Sequence, residues 1–374
     1  MTGALRIATL FRIPVRIHWS FLLIFVYVLY TGYAQGWDTN NIIWSLIFVV
    51  ALFGCVVLHE FGHALTARCY GVETRDIILS PIGGVARLDR LPEQPLQEFL
   101  VAVAGPLVNT AIALTLSPYL LTLSPQSRTQ LFQVILQPES NYFPTGLSQL
   151  DYFLAGLILL NLTLALFNMI PAFPMDGGRV LRALLSIRLQ RHQATRIAAY
   201  IGQGLALLFL GYGILFEQNI FYFFIGLFVF FAASGEYRMV RTQYLMRQYR
   251  VSDVARQQFV PLQSGDTMGQ AIEKLPGAGQ QSFLVLNAQQ QVIGVLTEKH
   301  IKEAHQARDY DTPVDQYLIP STGAVRMDQT LEEAYQSLEN ADAKTLPVYS
   351  DWGAVIGMLD LPALERFLRF ARKG

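Results

Sequence analysis

Two histidines and a glutamate stand together in the run Leu58 to His63, directly after a stretch without charge from Ile42 to Leu58. On a helix, His59 and His63 lie on one face about one turn apart, so both rings can reach one metal ion. Glu60 is rotated by about 100° from His59, beside such an ion, where a general base for an activated water belongs. The spacing therefore predicts a hydrolytic metal site.

The composition is that of a membrane protein with a soluble part. Of the 374 residues, 52% are hydrophobic and 15% are charged, against about 25% charged in typical soluble domains. The net charge is zero, which gives no support for nucleic-acid binding. The two cysteines, Cys55 and Cys69, form no Cys-x-x-Cys pair, so a disulfide framework or a cysteine-type zinc site is not expected.

Six apolar runs are each close to the roughly 17–25 residues that cross a bilayer as a helix. They fall at about 19–35, 42–64, 98–123, 151–172, 197–216 and 219–235. The first run lacks a small-residue cleavage site and other spans follow it, which favours an anchor over a removed signal peptide. The predicted fold is an α-helical polytopic membrane protein with about six transmembrane helices.

Arginines lie before span one and after spans two, four and six, whereas the opposite loops contain almost none apart from Arg128. The clustered residues are Arg6, Arg12, Arg16, Arg68, Arg75, Arg87, Arg90, Arg179, Arg182, Arg188, Arg191, Arg196, Arg238, Arg241, Arg247 and Arg250. By the positive-inside rule, both termini are cytoplasmic and the metal motif lies towards the cytoplasmic end of span two. The cell membrane is the expected location.

The segment from Asp76 to Leu88 links spans two and three and contains β-prone residues around Gly83-Gly84. This pattern predicts a small β-hairpin or bent strand pair. One interpretation is an edge strand that holds an extended peptide by main-chain hydrogen bonds. The alternative is an interfacial turn that only connects two spans.

Span three contains Gly105-Pro106, which indicates a kink or a close helix contact, followed by Asn109. The Asn109 amide is either a donor directed at a reacting carbonyl or a hydrogen-bonding group between helices. The residues alone leave these two interpretations open.

Span four ends in the run Asn168 to Arg179, where prolines break the helix and glycines permit unusual dihedrals. Catalytic zinc takes three protein ligands, and Asp176 is the best candidate for the third, although an aspartate before Gly-Gly is also typical of a helix cap. The weaker candidates are Cys55, which lies one turn before the motif, His18 and His192 near membrane boundaries, and Glu217 and Glu236, which are expected to be solvated.

The C-terminal third has a soluble composition and an internal repeat. Val292 to Leu296 recurs as Val355 to Leu359, and Asp266 to Ile272 recurs approximately as Gln329 to Tyr335. The period of about 63 residues is longer than that of solenoid repeats, so it indicates a paired module. Each copy is predicted as a helix, a strand, a turn, a strand and a final helix. The expected division is a membrane core at 1–236, a basic linker at 237–250 and the pair at 251–374.

These motifs together resemble those of the site-2 protease family of intramembrane zinc metalloproteases. The run His59 to His63, then Gly105-Pro106 with Asn109, then the run Asn168 to Gly178 match three family motifs in order. The resemblance covers about residues 10–235. The tail resembles a tandem pair of CBS domains, an α/β module that follows the protease core in one branch of the family.

The resemblance implies one zinc ion per chain held by His59, His63 and Asp176, with Glu60 as the general base. It also implies that Asn109 helps to stabilise or position the substrate. The implied activity is endopeptidase cleavage of transmembrane protein substrates near the cytoplasmic face. A CBS-regulated transporter or channel explains the tail and the spans but not the metal spacing, and an inactive adaptor would not need all four residues.

The tail departs from the nucleotide-binding CBS pattern Gly-x-x-Thr/Ser-x-x-Asp. The first copy has Thr297 but carries His300 where the aspartate is expected, and the second has Asp360 and Ala363 at these two positions. Adenine-nucleotide binding by the pair is therefore a weak expectation. A structural tail, or one that forms a homodimer through the CBS domains, is at least as well supported.

Overall fold

The computed structural model describes residues 4–81, 83–89, 92–136, 146–215, 220–278 and 280–372. The chain forms two compact units, Met1–Tyr237 and Arg238–Gly374. The first contains the predicted membrane core and the second the predicted repeat.

The first unit is mainly helical. Its helices are α1 (Leu22–Ala34), α2 (Thr39–Cys69), α3 (Pro95–Leu116), α4 (Pro118–Thr122), α5 (Pro125–Leu136), α6 (Gln149–Asn168), α7 (Asp176–Ser186), α8 (Arg191–Leu215) and the first part of α9 (Ile220–Gln248), which continues past Tyr237. Within the described residues, five helical segments are long and apolar enough to cross a membrane, and the first predicted span is a shorter apolar helix at Trp19–Ala34. The prediction of a polytopic helical core is confirmed. The long segments are Thr39–Cys69, Pro95–Thr122, Gln149–Asn168, Arg191–Leu215 and Tyr222–Gln248.

A four-stranded sheet accompanies these helices, in the order β1-β2-β3-β4. Its strands are β1 (Ala4–Leu10), β2 (Ile13–His18), β3 (Thr74–Ser80) and β4 (Gly83–Leu88). The β1–β2 and β3–β4 pairs are antiparallel, and β2 pairs with β3 in parallel. The predicted hairpin is therefore the β3–β4 pair, and β4 is an edge strand.

The N-terminal hairpin β1–β2 was not predicted, because the arginines there were interpreted only as the flank of the first span. The alternation of Ile13, Val15 and Ile17 was its signal, since alternate residues of a strand face one side of a sheet. Ile13 and Val15 are buried in a core that also contains Phe53 and Phe61 of α2. The sheet thus packs directly against the helix that carries the metal motif.

The backbones of α2 and α3 approach closely where the metal motif lies. A Cβ atom on Gly62 would stand 2.8 Å from the carbonyl oxygen of Ala104, closer than carbon and oxygen atoms can pack. Glycine is therefore the residue that permits this contact. The contact brings the face of α2 that carries both histidines against α3.

The helix of span four ends where the prolines predicted. α6 ends at Asn168, and α7 begins at Asp176 after a non-helical segment. The backbone folds back tightly here, because a Cβ on Gly177 would lie 2.3 Å from the carbonyl oxygen of Ile170. The turn places Asp176 at the first residue of a new helix.

The second unit has the predicted duplicated element order. The first copy has α10 (Met268–Ala278), β6 (Ser282–Leu286), β7 (Val292–Thr297) and α11 (Glu298–Ala307), together with β5 (Leu262–Gln263) and β8 (Ile319–Pro320). The second copy has β9 (Val325–Arg326), α12 (Leu331–Asn340), β10 (Thr345–Tyr349), β11 (Val355–Asp360) and α13 (Leu361–Ala371). The sheets have the orders β5-β6-β7-β8 and β11-β10-β9, and each copy has its own apolar core.

Candidate metal centre

Three ligand atoms from two distant parts of the sequence meet at one point. The Nε2 atoms of His59 and His63 are 3.1 Å apart, and the Oδ2 atom of Asp176 lies 3.3 Å and 3.1 Å from them respectively. All three residues are buried. Among the described residues, these three form the group of His, Cys, Asp and Glu side chains that can hold a metal ion.

The spacing of these atoms fits zinc. Zinc bonds of about 2.0–2.1 Å in tetrahedral geometry place two ligand atoms about 3.3 Å apart. The donor set of two imidazole nitrogens and one carboxylate oxygen is also one that catalytic zinc uses. The site leaves room beside the ligands because residue 105 is glycine: a Cβ there would lie 2.3 Å from His63 Nε2 and 2.7 Å from His59 Nε2.

The far sides of both rings are held by acceptors. The Nδ1 atom of His63 lies 2.7 Å from the carbonyl oxygen of Val101, and that of His59 contacts Oδ1 of Asn109. A carbonyl oxygen only accepts, so each Nδ1 carries the proton and donates it. Each Nε2 then presents its lone pair to the metal position, the arrangement found for metal-ligating histidines.

Glu60 projects from α2 towards the sheet and lies against strand β4. The N–H of Ala86 donates to Glu60 Oε2 at 3.0 Å, and a Cβ on Gly84 would stand 2.9 Å from Glu60 Cγ. Glu60 is only partly buried. The predicted hairpin and the predicted general base are therefore direct neighbours.

Asn109 is fully buried on α3, and its amide is used within the protein. Its oxygen contacts His59, and its Nδ2 donates to Oδ1 of Asn161 on α6 at 2.7 Å. The contact between helices, one of the two interpretations left open by the sequence, is present in this structure. Asn161 was not among the predicted site residues, although an amide within an apolar span is a signal of a polar contact between helices.

The weaker candidate ligands lie elsewhere. Cys55 Sγ is 3.3 Å from Asn161 Nδ2, behind the histidines, and the His18 ring accepts from the backbone N–H of Ser20 at 3.4 Å. His192 lies in the first turn of α8. Glu217 lies outside the described residues.

The expectation that Glu236 is solvated was wrong, because it binds an arginine that the fold buries completely. Arg182 of α7 donates from Nη1 to Glu236 at 2.6 Å and from Nε to Glu98 of α3 at 2.7 Å. Its guanidinium also lies 5.1 Å from the ring centroid of Phe173. These contacts fix the helix whose first residue is Asp176.

The fold and the site together define a membrane-embedded metal hydrolase with a duplicated α/β tail, and comparisons with known proteins agree. The family model "Peptidase family M50" matches residues 47–210, and the CBS domain model matches residues 251–306. The M50 match contains all five predicted site residues.

A zinc metalloprotease of Methanocaldococcus jannaschii is 38% identical over 254 residues, which are 68% of this chain and 66% of that protein. The solved site-2 protease from the same organism is 36% identical, covering 63% of this chain and 95% of that chain, with a TM-score of 0.43. A Synechocystis protein named as a proposed zinc metalloprotease is 29% identical over 392 residues, 99% of this chain and 96% of that protein. This chain belongs to the site-2 protease family of intramembrane zinc metalloproteases, and its cofactor is zinc.

Proposed function

We propose that this protein cleaves transmembrane segments of other proteins near the cytoplasmic face of the cell membrane, with His59, His63 and Asp176 holding the zinc ion. The observation that carries the proposal is the convergence of their ligand atoms within 3.1–3.3 Å. When bound, zinc supplies a Lewis acid that activates water at neutral pH and polarises a carbonyl.

Glu60 is the general base in this proposal. It follows the first ligand directly in the sequence, and its carboxylate lies outside the ligand cluster. It takes the proton of the attacking water and returns it to the leaving amine when the peptide bond breaks. The partly buried position gives it access to both water and substrate.

A transmembrane helix hides its peptide bonds in its own hydrogen-bond ladder, so the substrate must be extended before it is cut. The edge strand β4 offers a surface for this, since an extended peptide can add to a sheet edge by main-chain hydrogen bonds. Ala86 uses its N–H for Glu60, so this N–H points away from β3 and towards the free edge. A peptide paired there would pass beside the proposed base.

The arginine distribution supports a multi-pass orientation with both termini in the cytoplasm. The tail, at 251–374 after a basic stretch at 237–250, is proposed to be a CBS pair with a structural or dimerising role. Asp360 supports this over nucleotide binding, because it stands at the hydroxyl position of the pattern and accepts a hydrogen bond from the N–H of Ala363 as a helix cap. A buried carboxylate there would repel a phosphate.

The test co-expresses the protein with candidate membrane substrates and measures cleavage and bound zinc together. Glu60→Gln should lower cleavage by at least about 100-fold while zinc stays bound. His59→Ala should lose the zinc, which wild-type protein holds at about one ion per chain. Undiminished cleavage by Glu60→Gln would remove Glu60 from the mechanism, and wild-type protein without zinc would refute the site.

A further inference from the structure

A line of hydrogen bonds connects His59 to the backbone of α6. His59 Nδ1 contacts Asn109 Oδ1, Asn109 Nδ2 donates to Asn161 Oδ1 at 2.7 Å, and Asn161 Nδ2 donates to the carbonyl oxygen of Leu157 at 2.8 Å. Both asparagines have no exposed surface. The line joins three membrane-spanning helices behind a single metal ligand.

The carbonyl oxygen of Leu157, at the end of this line, determines which group donates and which accepts in each hydrogen bond. The Leu157 carbonyl can only accept, so the Asn161 amide must turn its NH2 group towards it. Its oxygen then faces Asn109, whose NH2 group must point back at it. Turning either amide over would bring two donors or two acceptors together without water, which is costly in a buried site.

These hydrogen bonds determine which nitrogen of His59 is free to bind a metal ion. With its NH2 group held by Asn161, Asn109 presents only its oxygen to His59. The imidazole must then carry its proton on Nδ1 and leave the Nε2 lone pair free for a cation. His63 needs no such line, because Val101 supplies a backbone carbonyl to its Nδ1 directly.

We propose that Asn161 is a positioning residue that fixes the tautomer and orientation of His59 through Asn109. The inference rests on the proposed role of His59 as a zinc ligand. It gives Asn109 a supporting role behind the ligand. Cys55 contacts the same Asn161 amide at 3.3 Å, but it does not set the direction of the line, because the backbone carbonyl already does.

The zinc affinity of the purified full-length protein, measured by chelator competition, tests whether Asn161 acts on His59 through Asn109. Asn109→Leu should weaken zinc binding by about 10–100-fold, the usual range for a partner of a ligating histidine. Asn161→Leu should weaken it by about 10-fold. The double variant should bind zinc as Asn109→Leu does, because Asn161 acts only through Asn109.

Cys55→Ala is the matched control, since it removes a contact of Asn161 and leaves the line intact; its affinity should equal that of wild type. Wild-type affinity in Asn161→Leu would overturn the inference. So would a double variant whose loss is the product of the two single losses, because that would show independent effects on packing.

Nitrogen NMR of labelled histidine in the zinc-free protein provides a second measurement that does not depend on metal binding. Wild type should show a proton fixed on His59 Nδ1, whatever Nε2 carries beside Asp176, and Asn161→Leu should show Nδ1 exchanging between a protonated and an unprotonated form. If Asn161→Leu is not recovered in folded form, Asn161→Ser replaces it. An unchanged tautomer would overturn the inference, whereas absence of zinc from wild type would instead refute the proposed function.

Discussion

The two units use their buried polar side chains differently. In the membrane unit several of these groups bind side chains that are distant in sequence: His63 contacts Asp176, Asn109 contacts Asn161, and Arg182 contacts Glu98. In the tail, Asp360 caps the helix that follows it, and Gln280 binds backbone groups of Val260 and Ser282.

The difference corresponds to two roles of buried polar groups. Polar groups that converge from distant segments are costly to bury and must be held together by the whole fold. Polar groups that satisfy nearby backbone atoms stabilise a local turn or a helix end. In this chain the polar groups of the candidate metal centre are of the first kind, and Asp360 in the tail is of the second.

Gly105→Ala should have the largest effect, because the new methyl group would occupy the space beside His63 Nε2, 2.3 Å away. The variant should lose nearly all bound zinc and all cleavage. Metal analysis of the purified protein measures this directly. Gly54→Ala on α2 is the control, since no atom beyond its chain neighbours and the adjacent backbone of α2 lies within 4 Å of its added Cβ. Full zinc occupancy in Gly105→Ala would show that the ligand atoms do not surround this space.

Arg182→Met should destabilise the membrane unit strongly, because it leaves Glu98 without its main partner in a buried site. Removing one partner of a buried ion pair costs about 3–5 kcal/mol. Unfolding of the purified protein in detergent, followed by tryptophan fluorescence, measures the change. Adding Glu98→Gln should recover part of the loss, because it removes the unpaired charge. No recovery would show that Arg182 acts through packing alone.

The motif in α2 could be predicted because helical spacing fixes which face carries His59 and His63. Asp176 followed from the number of ligands that catalytic zinc requires. Asn161 could not be assigned, because an amide in an apolar span has many acceptors and only the packing of α6 against α3 selects one. Nothing in the sequence distinguishes Val101, because every residue has a backbone carbonyl group.

The burial of charged residues was predicted less well, because it depends on how distant elements pack together. Glu236 follows an apolar span and looked solvated, but α7 brings Arg182 against it. The strands at Ala4–Leu10 and Ile13–His18 were not predicted. Three arginines in this segment were interpreted as the basic flank of the first span, and that interpretation left no reason to expect a hairpin. In the tail, the repeat alone predicted the element order, because a duplicated pattern must fold twice in the same way.

Leu338→Ala tests the tail. This fully buried leucine belongs to the core of the second copy, and truncating it should cost about 2–5 kcal/mol of the tail's stability. Zinc content should not change, because the proposed ligands His59, His63 and Asp176 all lie in the membrane unit. Limited proteolysis and zinc analysis on the same sample measure both. Trp352→Ala, at a side chain that is 82% exposed, is the control and should change neither. Loss of zinc in Leu338→Ala would show that the tail shapes the metal site.

Asp76 of β3 should give the smallest effect, and one that depends on pH. The Arg87 guanidinium donates to its carboxylate, and together with Arg16 it holds the pKa of Asp76 below its usual value of 3.8. A carboxyl whose pKa is lower in the folded state stabilises the fold above 3.8 and loses that contribution as the pH falls through the folded value. Asp76→Asn should therefore cost about 1–2 kcal/mol near neutral pH.

The same variant should match wild type more closely as the pH falls below about 4, because the wild-type carboxyl then also becomes neutral. Unfolding of both proteins in detergent across this pH range measures the difference in their free energies of unfolding. Asp89→Asn, which removes an exposed pair with Arg75, is the control and should change stability by less than about 1 kcal/mol. A gap between Asp76→Asn and wild type that persists in acid would assign the effect to the shape of the side chain rather than its charge.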